Sequence, residues 1–258
     1  MVTYLLKKSY QLKDLTEIEF KDLWGNHGIF TTMWIFGNPP KILFFKNHIK
    51  NLIKSLNIYG IKKRSLQKDI IKIIDKNLSK NFFYNHLIRV AVNKNIISIS
   101  LRKRVTPKLN FNLKLVNLKR NKPQYKNLKY KAILKHLVKL DNSKSDIGLI
   151  NNQKILETGT SNLLFVKNNQ VFTPKSGYYE GNTFKFFKSK IKKITKRDIF
   201  IKELKEYDEI LLVGSGKGIT SVKTIKQIKW KRKNLKLFKV FLGYYNQVTQ
   251  TSLPYRFR

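Results

Sequence analysis

An α+β fold in two lobes is predicted for this chain, with a small N-terminal α+β lobe over residues 1–104 and a larger, strand-rich lobe over 105–258. Three observations predict it. Two amphipathic helical stretches are embedded among strand-like runs in the first hundred residues. A basic segment ending in proline, Arg102-Lys103-Arg104-Val105-Thr106-Pro107, then breaks the apolar pattern and marks the linker. Beyond it, Ser145 to Pro174 reads as a series of short strands, SDIGLINNQKILETGTSNLLFVKNNQVFTP.

With 258 residues and a hydrophobic content of 41%, the chain can bury a substantial core. It has no Cys, which excludes disulfides and thiolate chemistry and is compatible with a reducing compartment. The four His show no paired ligand spacing, so no metal site is expected. No apolar run approaches the length of a signal peptide core or a membrane span. A soluble, cytoplasmic chain without a membrane partner is therefore expected. The net charge of +39 is the largest departure from ordinary composition. Alone it would suggest a polyanionic partner. The lysines are nevertheless scattered along the sequence and accompanied by excess Asn and Ile, the three sharing codons rich in A and T. Mutational drift explains that combination, which argues against a nucleic-acid partner. The charge would still steer anionic substrates inward.

Residues 1–24 are mixed strand and loop. A glycine turn at Gly25 and Gly28 leads into a strand through Ile35, Asn38-Pro39-Pro40 forms a turn, and Ile42–Phe45 is another short strand. Ile49, Leu52, Ile53 and Leu56 then recur at helical spacing, ending at Gly60. Ser65–Leu78 is a second helix with Leu66, Ile70, Ile73 and Ile74 on one side, followed by strands at 87–92 and 96–101. A strand at Phe111–Val116 precedes a lysine-rich loop, and Ala132–Leu140 reads as a helix with Ile133, Leu134, Leu137 and Val138 turned inward. In the 145–174 stretch, Asn151-Asn152 and Asn168-Asn169 fall where tight turns require a left-handed backbone. A helix reaches Lys193, a strand–turn–strand unit spans 208–222, and the chain ends in a helix and basic tail. Glu157 lies between two apolar strands. It is either a solvated turn residue or a functional carboxylate that needs a buried cationic partner.

The run Glu157-Thr158-Gly159-Thr160-Ser161-Asn162-Leu163-Leu164-Phe165, with Thr173-Pro174 after it, resembles the signature of the fold-type-IV pyridoxal-phosphate enzymes. That group contains branched-chain aminotransferases, D-amino-acid aminotransferases and aminodeoxychorismate lyases. Further blocks follow in the family's order. Gly25–Ile35 is similar to its G-D-G-V-F-E-T stretch, and Phe30-Thr31-Thr32 to the lyase form in particular. Residues 47–52 are similar to its E-H-L-x-R-L helix, Lys119–Tyr130 to its lysine loop, Gly181–Phe184 to G-I-T-R, and Asp208–Val222 to its G-T-A turn.

The resemblance implies a fold-type-IV aminotransferase-like architecture, with pyridoxal 5'-phosphate held between two lobes, usually in a homodimer. It implies that Lys126 joins the cofactor covalently and then serves as base, and that Tyr130 lies beside the 3-hydroxyl. Glu157, thirty-one residues beyond Lys126, would pair with the ring nitrogen. It also implies that Asn51, Asn162, Asn182, Thr183 and Ser215 surround the cofactor, and that Arg120, Thr31, Ser215 and Gly216 meet a small anionic amino-acid-like substrate. Two family arginines are replaced, one by Asn51 and one by Phe184. Loss of one charged phosphate contact costs on the order of 2 kcal/mol, and Lys50 or Lys54 is a candidate to supply the charge. The implied activity is a lyase converting 4-amino-4-deoxychorismate to 4-aminobenzoate and pyruvate. The alternatives are transamination of branched-chain or D-amino acids and, from another class, a non-catalytic basic binding protein on the same fold.

Overall fold

The computed structural model describes residues 3–257, which divide into two units. The first comprises residues 3–104 together with Tyr125–Lys131 and 251–257, and the second comprises 105–124 and 132–250.

The first unit contains strands β1 (Tyr4–Gln11), β2 (Glu17–Ile18), β3 (Gly28–Gly37) and β4 (Lys41–Ile42). Helices α1 (Phe45–Ile58) and α2 (Leu66–Asn77) follow, then β5 (Tyr84–Asn93) and β6 (Ile96–Lys103). Among the described residues these strands form one sheet in the order β2-β1-β6-β5-β3-β4, antiparallel at every pairing. Both helices bury their apolar positions in one core with this sheet: Ile49, Leu52 and Leu56 from α1, and Leu66, Ile70, Ile73 and Ile74 from α2. Each such side chain contributes roughly 1.5–3 kcal/mol. Gly60, at φ +73°, ends α1, where Ile61 N–H closes on Leu56 C=O at 2.9 Å. Phe45, expected to finish a strand, instead starts α1 after Phe44 takes a left-handed backbone.

Sequence reading placed 125–131 and the last residues in the second lobe. The first unit holds them through backbone bonds. Phe30 N–H donates to Lys126 C=O at 2.9 Å, Leu128 N–H to Gly28 C=O at 2.9 Å, and Tyr255 N–H to Pro40 C=O at 2.7 Å. Such irregular pairings leave no periodic trace in a sequence.

The second unit contains β7 (Asn110–Asn117), β8 (Ser145–Asn151), β9 (Lys154–Thr158), β10 (Asn162–Lys167) and β11 (Gln170–Pro174). After these come α4 (Asn182–Lys190), β12 (Ile194–Arg197), β13 (Glu209–Gly214), β14 (Gly218–Ile225), β15 (Trp230–Lys231) and α5 (Lys236–Gln250). Helix α3 (Lys131–Leu137) starts at the last residue of the 125–131 segment. The described strands form one sheet, β12-β11-β10-β13-β14-β7-β8-β9, with β15 on β14. Its pairings are parallel at β7–β8, β7–β14 and β11–β12, and antiparallel elsewhere. Phe111, Phe165, Ile210, Leu212 and Trp230 anchor its core.

The β10–β11 turn is the left-handed Asn168-Asn169 pair, as its residues suggest, whereas the β8–β9 turn uses Asn152-Gln153, one residue later than expected. Helix α3 stops at Leu137, so Val138 is not turned inward but is 80% exposed. Among the described residues no helix is long and apolar enough to cross a membrane.

Candidate active site

In the first unit the candidate residues gather where 125–131 runs antiparallel to the start of β3, with Ile29 bridged to Asn127. Gly28 permits this approach, because a Cβ there would meet Val92 O at 2.3 Å and Leu128 Cδ1 at 2.7 Å. With Phe30 N–H and Leu128 N–H bonded on its two sides, the backbone at Lys126 is fixed. Its Nζ lies 5.2 Å from the Phe30 ring centroid. Tyr130 is buried against Trp24 at 5.5 Å, with Phe30 edge-on at 5.7 Å. Tyr59 meets Tyr125 edge-on at 5.4 Å, and burial pushes its phenol up although Asn127 hydrogen-bonds to it. Lys126 Nζ therefore has an aromatic neighbour in Phe30.

Thr31 is buried, with its Oγ1 2.7 Å from Nδ1 of His48 on α1. Burial, and then the charge of Lys126, hold the His48 imidazole down to about 3, so the ring is neutral at ordinary pH. The sequence reading counted His48 only among residues without metal spacing, and the structure ties it to Thr31. A pH dependence follows. Between pH 6.5 and about 3 the unfolded chain carries a proton on this ring that the folded chain refuses. Stability is thus full above pH 6.5 and falls as acid is added, by up to ~1.4 kcal/mol per pH unit. His48→Gln should flatten this limb relative to the wild type in urea unfolding between pH 4 and 7. Asn51, one turn further along α1, is half-buried, while Lys50 and Lys54 are exposed to solvent.

In the second unit, Glu157 on β9 is 3% exposed and Arg120, in the segment after β7, is 6% exposed. Arg120 Nε donates to Oε1 at 2.7 Å and Nη2 to Oε2 at 3.2 Å, a two-point pairing. The carboxylate is therefore not a solvated turn residue. It has the buried cationic partner that the alternative reading required. The guanidinium expected at a substrate carboxylate is here engaged with Glu157. Tyr179, absent from the expected set, has its phenol pushed up by burial and partly restored by the charge of Arg120.

The corner between β9 and β10 ties two further features together. Asn162 Nδ2 donates to Tyr179 C=O at 2.6 Å, and its Oδ1 accepts from Gly181 N–H at 3.1 Å, fixing the start of α4. Asn182 and Thr183 form the first turn of that helix, both buried, and Thr183 Oγ1 has no hydrogen-bond partner among the described residues. Phe184 is fully buried beside the Tyr178 ring at 5.9 Å, a core position unsuited to a charged side chain. Against the same corner lies the β13–β14 turn with half-buried Ser215 and Gly216, since a Cβ on Gly214 would meet Thr160 O at 3.0 Å. The buried pair Lys217 Nζ–Asp146 Oδ2, at 2.9 Å, fastens this turn to β8. Thr158 and Thr160 hydroxyls both donate to the same Asp146 oxygen at 2.8 Å. Lys217 and Asp146 were not expected here, because a pair 71 positions apart has no local sequence signal. Chemically, the second unit offers a compensated buried carboxylate and, at the α4 start and the Gly-Ser-Gly turn, N–H groups suited to an anion.

A model of the amino-transferase class IV family matches residues 28–225. No curated protein sequence matches the chain. Among solved structures, the branched-chain aminotransferase of Thermoproteus uzoniensis, with norvaline, aligns with a TM-score of 0.77 at 18% identity, covering 94% of this chain and 95% of that one. A candidate 4-amino-4-deoxychorismate lyase from Legionella pneumophila gives 0.68 at 20% identity, covering 86% and 91%. The branched-chain aminotransferase of Thermobaculum terrenum in its PLP form gives 0.73 at 16%, covering 94% of each.

Proposed function

The chain belongs to the class IV amino-transferase family, and from that premise we propose that it is a pyridoxal-phosphate enzyme that releases 4-aminobenzoate and pyruvate from 4-amino-4-deoxychorismate. The buried Glu157–Arg120 pair carries the proposal, since an inward carboxylate held by one guanidinium is suited to a cationic ring nitrogen. The described residues suit the cofactor's phosphate as well. The partnerless Thr183 hydroxyl stands at the start of a helix, where first-turn N–H groups attract an anion. Thr183, Asn182 and Ser215 would hold the phosphate, and Tyr130 would lie beside the ring hydroxyl.

When bound, the cofactor supplies an aldehyde that condenses with amines and a ring that accepts electron density. The residues of the chain do the rest. Lys126 would hold the cofactor and, once its amine is free, would take the proton from the amine-bearing carbon of the substrate. Its fixed backbone limits how far that amine can wander. Arg120 keeps Glu157 oriented, so Glu157 serves the ring nitrogen and Arg120 acts as a positioning residue. Thr31, with its hydroxyl set by neutral His48, and Gly216 would contact the substrate. Activity as a homodimer is part of the same proposal.

The lyase is preferred over transamination because Phe30-Thr31-Thr32 and the Arg120-Asn121 segment before Lys126 resemble the lyase form. Transamination of a branched-chain or D-amino acid uses the same residues and is the second reading. The assay is pyruvate release from 4-amino-4-deoxychorismate without an added keto acid. Stoichiometric pyruvate and 4-aminobenzoate are expected. Turnover only when a keto acid is supplied would establish the second reading instead.

A further inference from the structure

The outer face of the first unit's helices is strongly one-sided in charge. Residues 45–80 contain ten Lys or Arg and two acids, Asp69 and Asp75. Both acids are engaged. Asp69 Oδ2 accepts from Ser65 Oγ at 2.8 Å and pairs with Lys63 at 2.8 Å, and Asp75 Oδ1 accepts from Tyr255 OH at 2.6 Å. Of the ten cations, Lys63 is paired with Asp69, Lys76 lies 3.8 Å from Glu17, and Lys80 leans over the Phe257 ring at 5.6 Å. Lys46, Lys50, Lys54, Lys62, Arg64, Lys68 and Lys72 are exposed, and none enters an ion pair among the described residues.

The arrangement is also periodic. Lys68, Lys72, Lys76 and Lys80 follow at four-residue steps along α2 and just past its end, and Lys46, Lys50 and Lys54 do the same along α1. Four residues advance a helix by about 6 Å, so neighbouring charges meet every second phosphate of a strand stacked at roughly 3.4 Å per nucleotide. Lys68, Lys72 and Lys76 of α2 and Lys80 beyond it line an open groove of about 640 Å³ with Phe257 and Asp75 among its other walls. A second concavity of about 690 Å³, at the start of α2, is lined by Lys62, Lys63 and Arg64. Phe257, half-buried against Tyr255 at 5.1 Å, gives the first groove an aromatic side.

We propose that the cationic face of α1 and α2, with Phe257 at its groove, binds single-stranded nucleic acid. Charge complementarity supplies the attraction, and an aromatic ring beside a lysine track is the pattern that takes up stacked bases. A bilayer surface fits less well, because the apolar sides of both helices are taken up by the unit's own core, which leaves Ile58 as the one large hydrophobic of these two helices more than half exposed. Scatter along the sequence hid this face, which appears only when the helices wind four-residue intervals into rows. The proposal is independent of the catalytic reading.

Fluorescence anisotropy with a labelled twenty-nucleotide oligouridylate, titrated from 50 to 200 mM salt, tests it. The full chain should bind with a dissociation constant of roughly 1–100 µM and a clear salt slope. Lys68→Gln/Lys72→Gln/Lys76→Gln should weaken binding at least about tenfold and reduce the log–log salt slope by about 2, at roughly 0.7 per single-strand contact. Lys190→Gln/Lys192→Gln/Lys193→Gln removes the same charge from exposed residues of the second unit, and should weaken binding no more than about twofold. Phe257→Ala should weaken oligouridylate about fivefold or more without changing the slope, and leave binding of long-chain polyphosphate unaltered. Equal losses in the two lysine variants would mean diffuse charge from composition and would overturn the proposal. So would absent binding, an equal effect of Phe257→Ala on both polymers, or tight binding to phosphatidylserine vesicles that oligouridylate fails to displace.

Discussion

Replacing Lys126 by Ala is expected to lower turnover by at least about 10³-fold and to abolish borohydride-fixed cofactor, because the proposed anchor and base would be lost together. Lys126→Arg should be nearly as inactive, since a guanidinium neither condenses with an aldehyde nor gives up its proton at neutral pH. Lys129→Ala and Lys131→Ala should stay within about threefold of wild type. Both residues are exposed, whereas Lys126 is half-buried beside Phe30 on a backbone bonded to β3. Mass-spectrometric mapping after borohydride treatment reads the result directly. Modification at Lys129 or Lys131 in the wild type, or retained turnover in Lys126→Ala, would reassign the anchor.

The second large effect concerns stability. Arg120→Met leaves the Glu157 carboxylate buried without its compensating charge, which costs roughly 3–5 kcal/mol. For a chain of this size that corresponds to a fall in melting temperature of about 10 °C. The double variant Arg120→Met/Glu157→Leu removes both charges and should regain most of the lost stability while remaining inactive. If the double variant melts as low as Arg120→Met alone, the loss comes from packing around Arg120 and the account of an uncompensated charge is wrong.

How much of this was legible in the sequence depended on whether the signal was local. The strands from Ile147 to Phe172 were readable because apolar runs alternate with Asn pairs, and a one-residue error arose only where Gln153 took a left-handed backbone. Both first-unit helices were readable from apolar spacing. The inward turn expected of Val138 failed because α3 ends one residue earlier. The partner of Glu157 could not be read, since Arg120 lies 37 positions away and one guanidinium looks like another in a basic chain. His48 was hidden for a similar reason, because its neutrality comes from burial and from Lys126, and no pattern within α1 announces either. The attachment of 125–131 to β3 was invisible because it rests on a few main-chain bonds in an irregular loop.

The first unit is discontinuous, built from an opening stretch, a seven-residue excursion in mid-chain and the final few residues. A ribosome that emits the chain from the amino end makes most of that unit early, yet residues 251–257 emerge only after the second unit's 132–250 have been made. The nascent protein therefore has to carry an unfinished sheet-and-helix layer while the other half forms, and neither half can be excised by a single cut or swapped as a cassette. Misfolding should accordingly be most frequent in chains cut short of Tyr255, even though such a cut removes none of the residues placed in the catalytic machinery.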